Sequence, residues 1–183
     1  MMAAVAAAES GAKVTLWEKN EKLGKKLFIT GKGRCNVTND AELSDFFMQV
    51  KRNKKFLYSA LYSVDNQGLM EWFTAAGVPL KVERGGRVFP QSDKSSDVIR
   101  ALERELKARK VALRLNASVS GLQIDKTEGK VLGLRAGGED RCFDAVILAT
   151  GGASYPRTGS TGDGARVAAS GGHRIWAPSP SLV

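Results

Sequence analysis

Histidine is almost absent from this chain: His173 stands alone among 183 residues. One imidazole argues against a histidine-based metal centre and against a Ser-His-Asp triad. Cysteine is nearly as scarce, and Cys35 and Cys142 are far apart and in no metal-ligand spacing. No metal is therefore expected. A disulfide has no support in a cytosolic protein, and Cys142 reads as a small, partly buried hydrophobe. No apolar run approaches the ~20 residues that span a bilayer. Residues 1–8 are apolar, but they lack a basic leader and Glu9 closes them, so they do not read as a signal peptide. The expected compartment is the cytoplasm, with no membrane partner.

Acid is short relative to base. Lysine and arginine number 28 against 19 acids, a net charge of +9. The excess gathers in residues 19–34, 51–55 and 100–114. Such a surface attracts nucleic acid, an acidic membrane or phosphorylated small molecules. No zinc-finger spacing and no aromatic RNP-like sequence accompanies it. The run Lys51-Arg52-Asn53-Lys54-Lys55 reads as a solvated helix face. No nucleic-acid partner is expected, and a basic nucleic-acid-binding module stands as the alternative function. What the chain does have is the 43% hydrophobic and 26% charged content of a globular protein, at a length that suits one ordinary domain.

Hydrophobic periodicity divides the chain. The alanine-rich residues 1–10 read as a helix capped by Gly11, followed at once by a strand over 13–18. The glycine- and lysine-rich stretch 20–39 shows no period and reads as an ordered loop. Residues 43–76 read as helices broken near Asn53 and Asp65. Phe56, Leu57, Ala60, Leu61 and Val64 recur at helical spacing, as do Leu69, Trp72, Phe73 and Ala76, and both sets read as core. A hairpin over 79–83 and 87–89 turns at Gly85-Gly86. Ser95 or Ser96 caps the next helix, whose buried face is Val98, Ile99, Leu102 and Leu106. A strand over 111–115 precedes a second hairpin, 119–125 with 131–136, turning at Glu128-Gly129. The continuous apolar run 143–149 reads as a strand covered on both faces. A glycine-rich loop over 151–164 leads into a short helix ending at Ser170, and Pro178 and Pro180 mark an exit from the domain. This order is that of an α/β fold with an inserted antiparallel element.

Chemistry concentrates at a few places. A helix, a strand and a terminal acid, Glu18, form the second half of a nucleotide-binding βαβ unit, whose first strand and glycine-rich turn would lie before Met1. A carboxylate there offers two acceptor oxygens to ribose hydroxyls; an exposed strand-end glutamate is the plainer reading of the residue alone. In Leu23-Gly24-Lys25-Lys26 the lysines could offset pyrophosphate charge, or form a basic surface turn. Gly31-Lys32-Gly33-Arg34-Cys35-Asn36 permits a tight turn with inward N–H groups, suited to anions, and Arg34 and Asn36 add donors. It is not the dinucleotide fingerprint, because it follows a loop and not a strand. Ala149-Thr150-Gly151-Gly152 ends in small residues against which a flat cofactor could lie, though a strand end needing positive φ explains them equally. Residues 154–164 add hydroxyls, Arg157 and a helix start that favours anions.

At these residues the chain resembles the bile-acid-inducible reductase-like flavoproteins, a bacterial family of FAD-dependent oxidoreductases with a glutathione-reductase-type nucleotide domain. The likeness is carried by Glu18-Lys19-Asn20, by Gly24-Lys25-Lys26-Leu27 leading into Gly31–Asn39, by Gly86-Arg87-Val88-Phe89-Pro90, and by Ala149-Thr150-Gly151-Gly152 with residues 154–164. The resemblance implies a Rossmann-like FAD-binding domain, a parallel sheet plus a small antiparallel element, truncated at both ends. Residues 1–177 would be a partial FAD-binding domain and 178–183 the start of a linker to a substrate-side domain. It implies that Glu18 holds the FAD ribose and that Lys26, Gly33, Arg34 and Asn36 line the path from pyrophosphate to flavin. Val119 would present its backbone to the adenine, and Thr150 and Gly151 would back the cofactor. The implied activity is FAD-dependent oxidoreduction of a small-molecule substrate, with NAD(P)H as a candidate reductant, impaired in a chain without the pyrophosphate-binding turn. No catalytic residue is assigned.

Overall fold

The computed structural model describes residues 1–177. Its elements begin α1 (Met2–Glu9), β1 (Thr15–Trp17), α2 (Lys25–Ile29), β2 (Thr38–Asn39), α3 (Leu43–Gln49), α4 (Tyr58–Ser63) and α5 (Asn66–Ala75). There follow β3 (Leu80–Glu83), β4 (Arg87–Pro90), α6 (Ser95–Ala108), β5 (Ala112–Arg114), β6 (Val119–Asp125), β7 (Lys130–Ala136), β8 (Glu139–Cys142) and α7 (Asp163–Ser170). They form two compact units, one of Met1–Val5 with Gly24–Lys110, the other of Ala6–Leu23 with the chain from Val111 onward. The expected linker, 178–183, with Pro178 and Pro180, lies outside the described residues.

The core of the first unit is built on α6. Its stripe buries as expected, and Val98, Ala101 and Leu102 join Cys35, Phe73 and Val78 in one cluster. The expected serine cap is not made. Ser95 is 2% exposed, and its hydroxyl donates to the Phe28 carbonyl at 3.1 Å. A buried hydroxyl must find a partner, and here a distant carbonyl takes it. Asp97 in the first turn still faces the positive end of the helix. At α5 the cap is local: the Asp65 carboxylate accepts from Gly68 N at 2.8 Å. The strands of this unit run antiparallel in the order β2-β4-β3.

Two expectations fail in this unit. Stretch 20–39 is not all loop, since it holds α2, a 3-10 turn over Thr30–Gly33 and β2. A five-residue helix is little more than one turn, too short for a period to show. Nor is the stripe over 56–64 core: Phe56 is 86% exposed and Val64 62%. Periodicity reports that an apolar face exists, not that anything covers it.

In the second unit β1 pairs in parallel with β5, Thr15 opposite Ala112 and Trp17 opposite Arg114. Glu18 N extends that ladder by donating to the Arg114 carbonyl at 2.9 Å. The second sheet is antiparallel in the order β6-β7-β8, and α7 leans on it through Leu122 N, which donates to the Ser170 hydroxyl at 3.1 Å. Strand β8 leaves no signal in the sequence, because Glu-Asp-Arg-Cys is exposed throughout and carries no apolar alternation. Cys142 is correspondingly exposed, not partly buried. Residues 143–149 form no strand. Phe143 N donates to the Leu132 carbonyl at 3.0 Å; beyond it no ladder among the described residues takes the run, and Ile147 is 63% exposed. Apolar composition favours extended backbone, but a strand exists only where a neighbour pairs with it.

Candidate functional site

Two pairs of sequence motifs meet, each within its own unit. In the second unit the Glu18-Lys19-Asn20 turn meets the 154–164 loop. Asn20 donates to Glu18 Oε1 twice, from its backbone N at 2.9 Å and from Nδ2 at 2.7 Å. The other oxygen, Oε2, has no partner among the described residues. Asn20 Nδ2 also donates to the Thr158 carbonyl at 3.4 Å. Lys19 Nζ donates to Thr161 Oγ1 at 2.6 Å and to Asp163 Oδ2 at 2.5 Å. Asp163 takes Arg166 as a further partner. Lys19 first, then the Thr161 hydroxyl, hold the Asp163 carboxyl below its ordinary range. Gly159 closes the contact at φ +97, where a Cβ would stand 2.7 Å from Asn20 Nδ2. Only glycine fits that approach and that backbone.

In the first unit the Gly31–Asn36 turn packs on β4. A Cβ on Gly31 would lie 2.8 Å from the Phe89 ring, so the turn sits directly against the aromatic face. Arg34 lays its guanidinium over that ring, 3.9 Å from the centroid. It also donates to Glu83 Oε1 at 2.8 Å and to Asp93 Oδ1 at 3.3 Å, while Lys81 reaches Asp93 Oδ2 at 2.6 Å. Glu83 raises the Arg34 pKa, and Lys81 then Arg34 lower that of Asp93. Cys35 is buried at φ +63; burial pushes its thiol pKa up, against a smaller opposing bond with Thr30. The Asn36 amide, oriented by its acceptors, gives its NH2 to the Val88 and Thr38 carbonyls at 3.2 and 2.9 Å. Lys26 lies half-buried within α2.

The residues expected to line one site are therefore divided. Lys26, Gly33, Arg34 and Asn36 belong to the first unit; Glu18, Val119, Thr150 and Gly151 belong to the second. Val119 opens β6 opposite Ala136. Thr150 and Gly151 are exposed. Glycine at 152 has nothing within 4 Å of its Cβ position and no positive φ, so neither packing nor backbone explains it. Its carbonyl accepts from Gly162 N at 3.2 Å, and its open Cβ position leaves room for the close approach of a flat ring. Sequence reasoning missed Lys19 and Asp163, whose pairing spans 144 residues and leaves no local signal. It also missed Glu83 and Asp93 as partners of Arg34.

A parallel strand pair ending in a carboxylate, latched to a glycine-rich loop that leads into a helix, defines a Rossmann-type domain. The chain belongs to the HI0933-like protein Rossmann domain family, whose pattern matches residues 1–179. It is 36% identical over its whole length to the 3-dehydro-bile acid delta(4,6)-reductase of Clostridium scindens, covering 44% of that protein. It is 26% identical over 96% of its length to the ribosomal RNA dihydrouridine synthase of Haemophilus influenzae, covering 43% of that protein. The chain thus spans less than half the length of these curated relatives. Among solved structures, the open conformation of a flavocytochrome c3 fumarate reductase matches 91% of this chain and 37% of its own, at TM-score 0.61 and 23% identity, a likeness of fold. Among the described residues no helix is long and apolar enough to cross a membrane.

Proposed function

We propose that this chain is the nucleotide-binding part of an FAD-dependent oxidoreductase. The observation that carries the reading is the latch between Glu18-Lys19-Asn20 and Thr158–Asp163, which ties the strand-end acid to the loop that leads into α7. Asn20 fixes Glu18 through one oxygen and leaves Oε2 to accept from a ribose hydroxyl. The exposed Gly152, whose Cβ position is open, gives a flat ring a place to lie. FAD would supply two-electron transfer, with NAD(P)H as the reductant.

The relatives are named as a delta(4,6)-reductase and a dihydrouridine synthase, and both names describe adding hydrogen across a double bond. We take that reaction on a small unsaturated molecule as the activity of the protein at its relatives' length, in the cytoplasm. Titrating FAD into the protein while following flavin fluorescence tests the assignment. Glu18→Ala removes a charged hydrogen bond worth about 1.5–3 kcal/mol, or roughly 10- to 150-fold in affinity. Gly152→Ala should weaken FAD and leave the unfolding midpoint unchanged. Equal FAD affinity in wild type and both variants overturns the reading.

A further inference from the structure

We propose that the cleft between the end of α5 and the start of α6 binds a small organic monocarboxylate. The cleft has a volume of about 430 Å³, within the roughly 300–1,000 Å³ of small-molecule sites. Its apolar lining is Val78, which is 2% exposed, and Pro79. Its polar wall is one stripe of α6, where Asp97, Arg100 and Arg104 stand at i, i+3 and i+7 and so share a face. All of these residues belong to the first unit, and none is among those assigned to the nucleotide.

Arg104 supplies the uncompensated charge. Its Nη2 donates to the Ala76 carbonyl at 2.8 Å, which holds the guanidinium at the C-terminal end of α5. No carboxylate pairs with it among the described residues. Arg34, Arg109 and Arg135, by contrast, each have an acid within salt-bridge reach. A guanidinium carries about five N–H donors, and Arg104 spends one on a carbonyl. The fork is therefore anchored and still open to a planar carboxylate, whose geometry it matches. Arg100 brings a second guanidinium, paired with Asp97. Two guanidiniums against one carboxylate leave a single net positive charge at the cleft. Ser92 first, then Arg100, hold the Asp97 carboxyl below its ordinary range, so it stays ionised. A second negative charge on a ligand would meet that carboxylate, and like charges brought together are costly. The cleft thus favours a monoanion over a phosphate monoester. Val78 and Pro79 give an apolar body something to cover, which an inorganic anion would leave wet.

Thermal unfolding of the whole chain with benzoate as the probe tests this, with titration calorimetry for the affinity. A ligand that binds only the folded state raises the midpoint as its concentration rises. Benzoate should do so saturably, and neutral benzamide should not. Acetate, which lacks the ring, should act only at higher concentration. Phenyl phosphate should bind more weakly than benzoate, and Asp97→Asn should close that gap. Arg104→Gln removes a charged hydrogen bond and should weaken benzoate roughly 10- to 150-fold. Arg104→Lys keeps the charge without the fork and should recover only part of that loss. Arg100→Gln is read in place of Arg104→Gln if circular dichroism shows that variant unfolded. The charge-matched control Lys107→Gln, on the same helix but outside the cleft, should leave the affinity as it is. The proposal is overturned if benzoate gives no saturable shift, if benzamide matches it, or if the Lys107 control costs as much as the arginine variant. It is equally overturned if phenyl phosphate binds the unmodified chain as well as benzoate does, or if Asp97→Asn leaves the preference unchanged.

Discussion

Replacing Phe89 isolates what holds the Gly31–Asn36 turn. The side chain is 2% exposed. Its ring meets Gly31 on one side and the Arg34 guanidinium at 3.9 Å, with that of Arg87 at 5.9 Å. Phe89→Ala removes the transfer energy of a buried ring and leaves a cavity that the strand pairing of β4 resists collapsing, a cost of about 3–5 kcal/mol. Total stabilities are about 5–15 kcal/mol, so the loss is a large fraction. At a urea dependence of about 2 kcal/mol per molar, the midpoint falls by about 2 M. Phe89→Leu keeps most of the volume and should cost about 1.5 kcal/mol or less, yet it deletes the face on which Arg34 rests. Urea melts followed by circular dichroism give the stability, and trypsin cleavage after Lys32 and Arg34 reports on the turn. Both variants should be cut faster there, the leucine variant out of proportion to its small loss of stability. If alanine costs under about 1 kcal/mol, far below the usual toll of a buried ring, the packing account is wrong. Unchanged cleavage in both variants would show that the turn does not depend on the ring.

Gly159→Ala forces a side chain into left-handed backbone and against Asn20, and should destabilise by about 1–3 kcal/mol in a urea melt. The pH dependence has a defined sign. Asp93, Asp97, Asp140 and Asp163 all sit below their ordinary carboxyl range in the folded chain. Their contribution is fully present above the unfolded value of about 3.9 and is lost as pH falls through the folded values. Melts from neutral to acid pH should therefore stay level and then drop below about pH 4. Lys19→Met should lower stability at neutral pH and make the acid limb shallower. With dithionitrobenzoate, Cys142 should react at once and Cys35 only as the chain unfolds, since one is exposed and the other buried with a raised pKa. Two fast thiols would contradict the placement of Cys35.

Short-range features were legible because their causes are local. The α6 stripe reads from spacing, and Gly85-Gly86 reads as a hairpin turn because both residues take positive φ, 78 and 71. Asp65 reads as a break because its carboxylate caps the next helix, accepting from the Gly68 N–H three residues on. What the sequence hid was partnership. Ser95 has the right type for a cap, and a carbonyl 67 residues away claims it instead. The run 143–149 has the composition of a buried strand, and no described strand pairs with it. Phe56 and Val64 keep a helical rhythm that nothing buries. In each case the side chain states a preference, and the neighbour that would satisfy it is encoded elsewhere.

The same distinction sharpens the candidate site. Most of its unusual residues have a structural reason. Gly31 clears Phe89, Gly159 clears Asn20, and Lys19 and Asp163 neutralise each other. Any fold holding these contacts would select those types, so they say how the motifs are held and little about why. Two features remain after that subtraction. Glu18 keeps one oxygen without a partner while the other is held by two donors of Asn20. Gly152 lacks a side chain although no neighbour and no dihedral requires it. A residue choice that local structure does not explain is where function is to be sought. An acceptor left open at a strand end and an open Cβ position are what an adenosine sugar and a flat ring would each use.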